Sequence, residues 1–128
     1  MTQKTEKHTT RLKALKIAEL QADKKAENII VINVTDICNF TEYFVISTGL
    51  STLQIKALSD HIQETLRKQG HRPFHIDGQG SSTWTVMDYD DVIVHIFSPE
   101  ARSYFDLERL WGDGEIVDWE SELNHAQS

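Results

Sequence analysis

Two segments limit what this chain can fold into. Residues 29–34 read Ile-Ile-Val-Ile-Asn-Val, and residues 92–97 read Val-Ile-Val-His-Ile-Phe. Both are β-branched and apolar on their two faces, the pattern of a strand inside a sheet that is covered above and below. The covering layers are legible as well. Arg11–Lys25 is rich in strong helix formers, with Ala14, Leu15, Ala18 and Ala22 on one arc flanked by Leu12. In the second helix Ser51 and Gln54 make a capping box, Ile55, Leu58, Ile62 and Leu66 form an apolar stripe, and Gly70 follows the end. Ser98-Pro99 starts a third, expected to run through Ala101–Trp111 with Tyr104, Leu107 and Trp111 on one side.

Between the helices lie three further strand signals. Tyr43–Ser47 is apolar, His71–Ile76 is short and carries Pro73, and Thr83–Asp88 pairs with Asp91–Phe97 as a hairpin around Tyr89-Asp90. The expected order is α-β-β-α-β-β-β-α. This is a single-domain α/β fold, an α-β-α sandwich with a mixed sheet of about five strands. With 128 residues, one domain is expected. It would span 11–113, between a polar, flexible 1–10 segment and an acidic tail at 114–128.

Charge narrows the function. The net charge is −7, with 11 basic against 8 acidic groups in residues 1–76 and 2 basic against 12 acidic in residues 77–128. A general binder of phosphate backbones needs many cations on one surface, so little or no direct RNA contact is expected. An acidic half instead suits a basic partner. The single cysteine, Cys38, excludes an intrachain disulfide and a multi-thiolate zinc site. It fits a reducing compartment. No apolar run approaches the roughly 20 residues of a membrane span, and residues 1–10 do not read as a secretory or transit signal, so the expectation is a cytoplasmic protein without a membrane partner.

The candidate chemistry is thin. Asp88, Asp90 and Asp91 could hold a divalent cation, but Asp is also an ordinary turn residue. Gly49-Leu50-Ser51 at a strand-to-helix junction could receive an anion and is similar to the Gly-x-Ser turn of nucleotidyltransferases. Those enzymes carry paired carboxylates on the next strand, and no such pair follows here. His95 alternates with Ile93 and Phe97 and reads as a hydrogen-bonded core residue. No catalytic residue, cofactor or metal site is expected. Trp84, entering a strand from a Gly-rich loop, fits either an interface anchor or ordinary packing on the sheet.

Four segments taken together resemble one family: Thr41–Gly49 (TEYFVISTG), Ser51–His61 (STLQIKALSDH), Trp84–Phe97 (WTVMDYDDVIVHIF) and Arg102–Trp111 (RSYFDLERLW). The resemblance, across roughly residues 12–113, is to the ribosomal silencing factor family, also called Iojap. It implies a fold like that of nucleotidyltransferases without their catalytic carboxylates, and a translational repressor rather than an enzyme. Family members bind the large ribosomal subunit through ribosomal protein L-fourteen and sterically keep the small subunit from joining, in starvation or stationary phase. The site residues that the resemblance implies are Trp84, Asp88, Tyr89 and the helix near Arg102–Leu110. Tyr104 belongs to that helix, and Asp91 and Glu108 would add charge. Glu42, where the family commonly has Asp, and Asp90, where it commonly has Gly, depart from the pattern. The alternatives are a nucleotide-binding or nucleotidyltransferase-like enzyme using Gly49–Thr52 and Asp88–Asp91, and an adaptor that is a homodimer when free.

Overall fold

A computed structural model describes the backbone of residues 2–127 and the side chains of residues 9–125. The sheet is mixed and six-stranded. Its strands are β1 (Glu27–Asn33), β2 (Tyr43–Thr48), β3 (His75–Asp77), β4 (Trp84–Asp88), β5 (Val92–Phe97) and β6 (Glu115–Val117), in the spatial order β3-β4-β5-β2-β1-β6. Among the described residues only β2 and β5 run parallel, and every residue of both is buried. That is the environment a two-faced apolar strand requires. The short segment with Pro73 supplies the edge strand β3, which begins only at His75, two residues after the proline.

The helices are α1 (Thr2–Asp23), α2 (Thr52–Lys68), α3 (Pro99–Phe105), α4 (Leu107–Leu110) and α5 (Trp119–Gln127). α1, α2 and α5 cover one face of the sheet. Leu15, Ile17, Leu20, Ile55, Leu58, Ile62 and Leu66 pack there on Val31, Val45, Met87, Val94 and Ile96. The second face is thinly covered. Ile32, Phe44, Ile46, Ile93 and Phe97 meet Leu107, Trp111 and Cys38, all three only partly buried.

Local sequence explains α2. Ser51 Oγ accepts the Gln54 N–H at 3.0 Å, and the Gln54 side chain accepts the Leu50 N–H at 2.7 Å while donating to the Lys24 and Lys25 carbonyls. A cap of this kind contributes about 1 kcal/mol. Burial of the four-residue stripe contributes several times more, so packing holds the helix and the cap sets where it begins. Ser98 caps α3 in the same way, through the Ala101 N–H at 3.2 Å.

Three expectations are corrected. The third helix is not continuous: Asp106 adopts φ 47°, ψ 53°, which ends α3 and lets α4 leave in a new direction. Tyr104 therefore does not share a buried side with Leu107 and Trp111, and it is 84% exposed. On α1, Ile17, Leu20 and Gln21 are buried and Ala22 is exposed, because the helix packs against α2 and α5 as well as the sheet.

The sheet also has a sixth strand, from the segment read as a tail. β6 pairs antiparallel with β1, Val117 is buried, and Trp119 and Leu123 of α5 pack on the first core. Gly114 permits this turn, since a Cβ there would lie 2.7 Å from Ile32 Cγ2. The polar 1–10 segment enters α1, whose backbone begins at Thr2. Met1 and the side chains of residues 2–8 lie outside the described residues.

Candidate interaction surface around Trp84

Alternation along β4 decides which side chains share a face. Trp84 and Val86 point to the thinly covered face, with Asp88 in the same register, whereas Thr85 and Met87 point into the helix-covered core. On β3, His75 lies opposite Asp88 and Asp77 opposite Val86, so the edge strand adds these two to the same face. Beneath Trp84, Phe97 is its direct partner on β5 and His95 its diagonal one. The indole stacks on Phe97 at 5.4 Å and on His95 at 5.9 Å, and Phe105 tilts against it at 4.6 Å. Tyr104 then meets Phe105 edge-on at 5.2 Å. Trp84, Phe105 and Tyr104 thus form a stepped aromatic ledge, with Phe105 41% exposed.

The loop before β4 presses close to this ledge. Gly78 sits at φ +79°, where a Cβ would collide with the Trp84 carbonyl oxygen, and its own carbonyl accepts the Thr85 hydroxyl at 3.2 Å. A side chain at 78 would push the start of β4 outward. Glycine at position 78 is therefore required by the approach of backbone to backbone.

The carboxylates around the ledge differ in freedom. Asp77 is exposed and 2.9 Å from His75 Nε2. Asp88 is half-buried and accepts the Asp90 N–H at 2.7 Å, which pins the turn. Asp90 takes φ 74°, and the Asp91 N–H donates to the Tyr89 carbonyl at 2.9 Å, the arrangement of a γ-turn. The positive φ of the turn falls on Asp90 itself, the position where the sequence resemblance implies a Gly. Among the described residues, no group of three or more His, Cys, Asp or Glu is arranged to hold a metal ion.

Four of the residues singled out from sequence do not reach the ledge as contacts. Tyr89 is 3% exposed and lies in the helix-covered core, where burial pushes its hydroxyl up to about 12. The parity of β4 sends it there: two residues beyond Met87, it follows Met87 and not Trp84. Asp91 faces α1, paired with Lys13 at 2.6 Å and accepting the Thr10 hydroxyl at 3.2 Å. Arg102 is 8% exposed and donates to Thr48 Oγ1 at 2.9 Å and to Glu108 Oε2 at 3.1 Å. Arg102 and Glu108 therefore tie α3, α4 and the end of β2 together across the break at Asp106. Trp84, Asp88 and Tyr104 keep accessible surface. Val86, Phe105 and Asp77 join them. Phe105 lies in the helix already implicated but was not named. Val86 and Asp77 were not singled out from sequence, although the two-residue alternation around Trp84 was the signal for Val86.

His95 is buried, and its Nδ1 accepts the Trp84 indole N–H at 3.2 Å. Burial lowers its pKa to about 4, so the ring is neutral near pH 7. The pattern-based reading as a hydrogen-bonded core residue is the one observed.

The model of the family described as "Ribosomal silencing factor during starvation" matches residues 6–128. The chain belongs to the ribosomal silencing factor family. The ribosomal silencing factor RsfS of Bacillus subtilis is 34% identical over 111 residues, covering 86% of this chain and 94% of that protein. A mouse relative, "Mitochondrial assembly of ribosomal large subunit protein 1", is 30% identical over 98 residues, covering 74% of this chain and 43% of its own length. The crystal structure of a Chromobacterium violaceum protein superposes with a TM-score of 0.73 at 33% identity, covering 77% of this chain and 83% of that one. The family match also takes in residues 114–128, where β6 and α5 complete the sheet and its helical cover. A silencing factor's fold thus extends past the boundary at 113 expected from sequence.

Proposed function

We propose that this silencing factor docks on the large ribosomal subunit through the ledge around Trp84, with ribosomal protein L-fourteen as the partner. Its bulk then keeps the small subunit from joining, which lowers translation during starvation. The cytoplasm is the proposed place of action. The observation that carries the reading is the pairing of an accessible aromatic step with carboxylates on the thinly covered face. Aromatic side chains, Trp foremost, anchor protein interfaces, and carboxylates at the rim speed encounter with a basic partner. The name of the mouse relative, which refers to the large ribosomal subunit, supports the choice of subunit.

The roles divide by accessibility. Trp84 is the anchor, Tyr104 and Asp88 flank it, and Asp77 and Val86 extend the surface along the sheet edge. Tyr89, Asp91, Arg102 and Glu108 hold the turn and the α3–α4 corner in place behind it. Co-sedimentation with purified large subunits tests this. Replacing Trp84 by Ala removes a central anchor, which costs more than about 2 kcal/mol, or about thirtyfold in affinity. A folded Trp84→Ala protein that sediments with large subunits as well as the parent does removes Trp84 from the site.

A further inference from the structure

β5 lies between β4 and β2 and is apolar along its whole length except at one position, His95. A buried imidazole has a cost there. Its polar atoms lose water, and a Phe in its place would extend the stack in which His95 already lies parallel to Phe97 at 5.7 Å and tilted against Phe44 at 5.4 Å. The hydrogen bond it makes in exchange goes to the residue at the centre of the ledge. Trp Nε1–H is a donor only, so the indole needs an acceptor or water, and Nδ1 of the ring beneath it is that acceptor at 3.2 Å. A half-buried indole on a sheet has more than one staggered orientation about its side-chain bonds. Stacking on Phe97 and on the His95 ring favours a flat indole but does not distinguish one edge from the other. A directional bond to Nδ1 does.

We infer that His95 is a positioning residue for docking: through Nδ1 it holds the Trp84 indole in one orientation before the partner arrives. The inference rests on the reading that Trp84 is the docking anchor. An anchor already fixed loses less freedom on binding than one that must be ordered in the complex. The ring must be uncharged with its proton on Nε2, because Nδ1 accepts. Its burial among Phe44, Phe97 and Trp84 keeps it neutral at the pH of the cell.

Two variants and the parent protein test the role. His95→Phe keeps the stack and removes the acceptor. His95→Asn places an amide oxygen near the position of Nδ1. The readouts are affinity for large subunits and the nitrogen–proton signal of the Trp84 indole, identified by its loss in Trp84→Phe. His95→Phe is expected to stay folded, to move the indole signal towards that of a solvent-bonded indole, and to weaken binding about three- to tenfold, the loss that ordering one side chain entails. His95→Asn should recover most of the affinity and of the signal position. An indole signal unmoved in His95→Phe overturns the inference, and so does unchanged affinity. The ring nitrogens of the parent give an arm that needs no variant: an unprotonated Nδ1 supports the role, and a protonated one refutes it. Trp84→Ala measured alongside separates the two claims. If it binds undiminished, the docking reading fails; if it binds poorly while His95→Phe binds normally, only the role of His95 fails.

Discussion

At neutral pH the His95 ring is uncharged because it is buried among aromatic rings, and this ties one residue to the stability of the molecule. Its pKa falls from the ordinary 6.5 to about 4 on folding. Between those values the unfolded chain holds a proton that the folded chain does not, so stability rises with pH across that window. The contribution is complete above about 6.5 and is lost as pH falls towards 4. In size it is about 3 kcal/mol, since one pKa unit corresponds to about 1.4 kcal/mol. Denaturant titrations at pH 7 and pH 4.5 should show a marked loss for the parent protein and a smaller one for His95→Phe. Equal losses would mean that the ring is not buried as described. Strand parity made part of the Trp84 face legible from sequence alone. Trp84, Val86 and Asp88 fall on one side and Met87 and Tyr89 on the other, so the separation of Tyr89 from the ledge was already written in the alternation. The hydrogen bond from Trp84 to His95 was not, because it joins diagonal positions whose register only the folded hairpin sets.

Among the elements, those with local signals were legible and those defined by distant partners were not. α2 carries its own cap and stripe and lies where the sequence puts it. The break between α3 and α4 depends on Arg102 reaching Thr48, 54 positions away, and Glu108 beyond the turn, so no local rule marks Asp106. β6 has three residues and exists only because β1 offers an edge. Ile116, Val117, Trp119 and Leu123 signalled burial but not what they would meet. Their attachment has a chemical clasp. Arg11 of α1 donates to both oxygens of Glu122 at 2.7 Å and to both of Glu115 at 3.2 Å. These bonds hold the Glu115 and Glu122 carboxyls below the usual range. They therefore weaken only when pH falls below about 4.5, under most of the His95 window. The clasp is partly open to solvent, so its worth to global stability is modest, about 1 kcal/mol. Its local effect is larger. In Arg11→Ala, amide exchange of residues 115–125 should accelerate well beyond that of β2 and β5. Uniform acceleration across the sheet would show that Arg11 does not hold β6 and α5 in particular.

Over the whole molecule, one face of the sheet is sealed by three helices and the other is left thin around an aromatic ledge. The acidic half of the chain supplies β4, the turn at Asp90, the α3–α4 corner and the β6–α5 segment. The basic residues lie mainly in α1 and α2 and the loop after it, on the sealed side. Composition indicated the kind of partner an acidic surface suits, and the folded sheet brings Trp84, Phe105 and Tyr104 together on the thinly covered face. In the proposed function, occupying this surface stops the subunits from joining. Light scattering of purified subunits tests it most directly, with the protein preincubated with large subunits before small subunits are added. A reduced scattering rise is expected, returning to normal when Trp84→Ala replaces the parent protein. A full rise with the parent protein bound to the large subunit would contradict it.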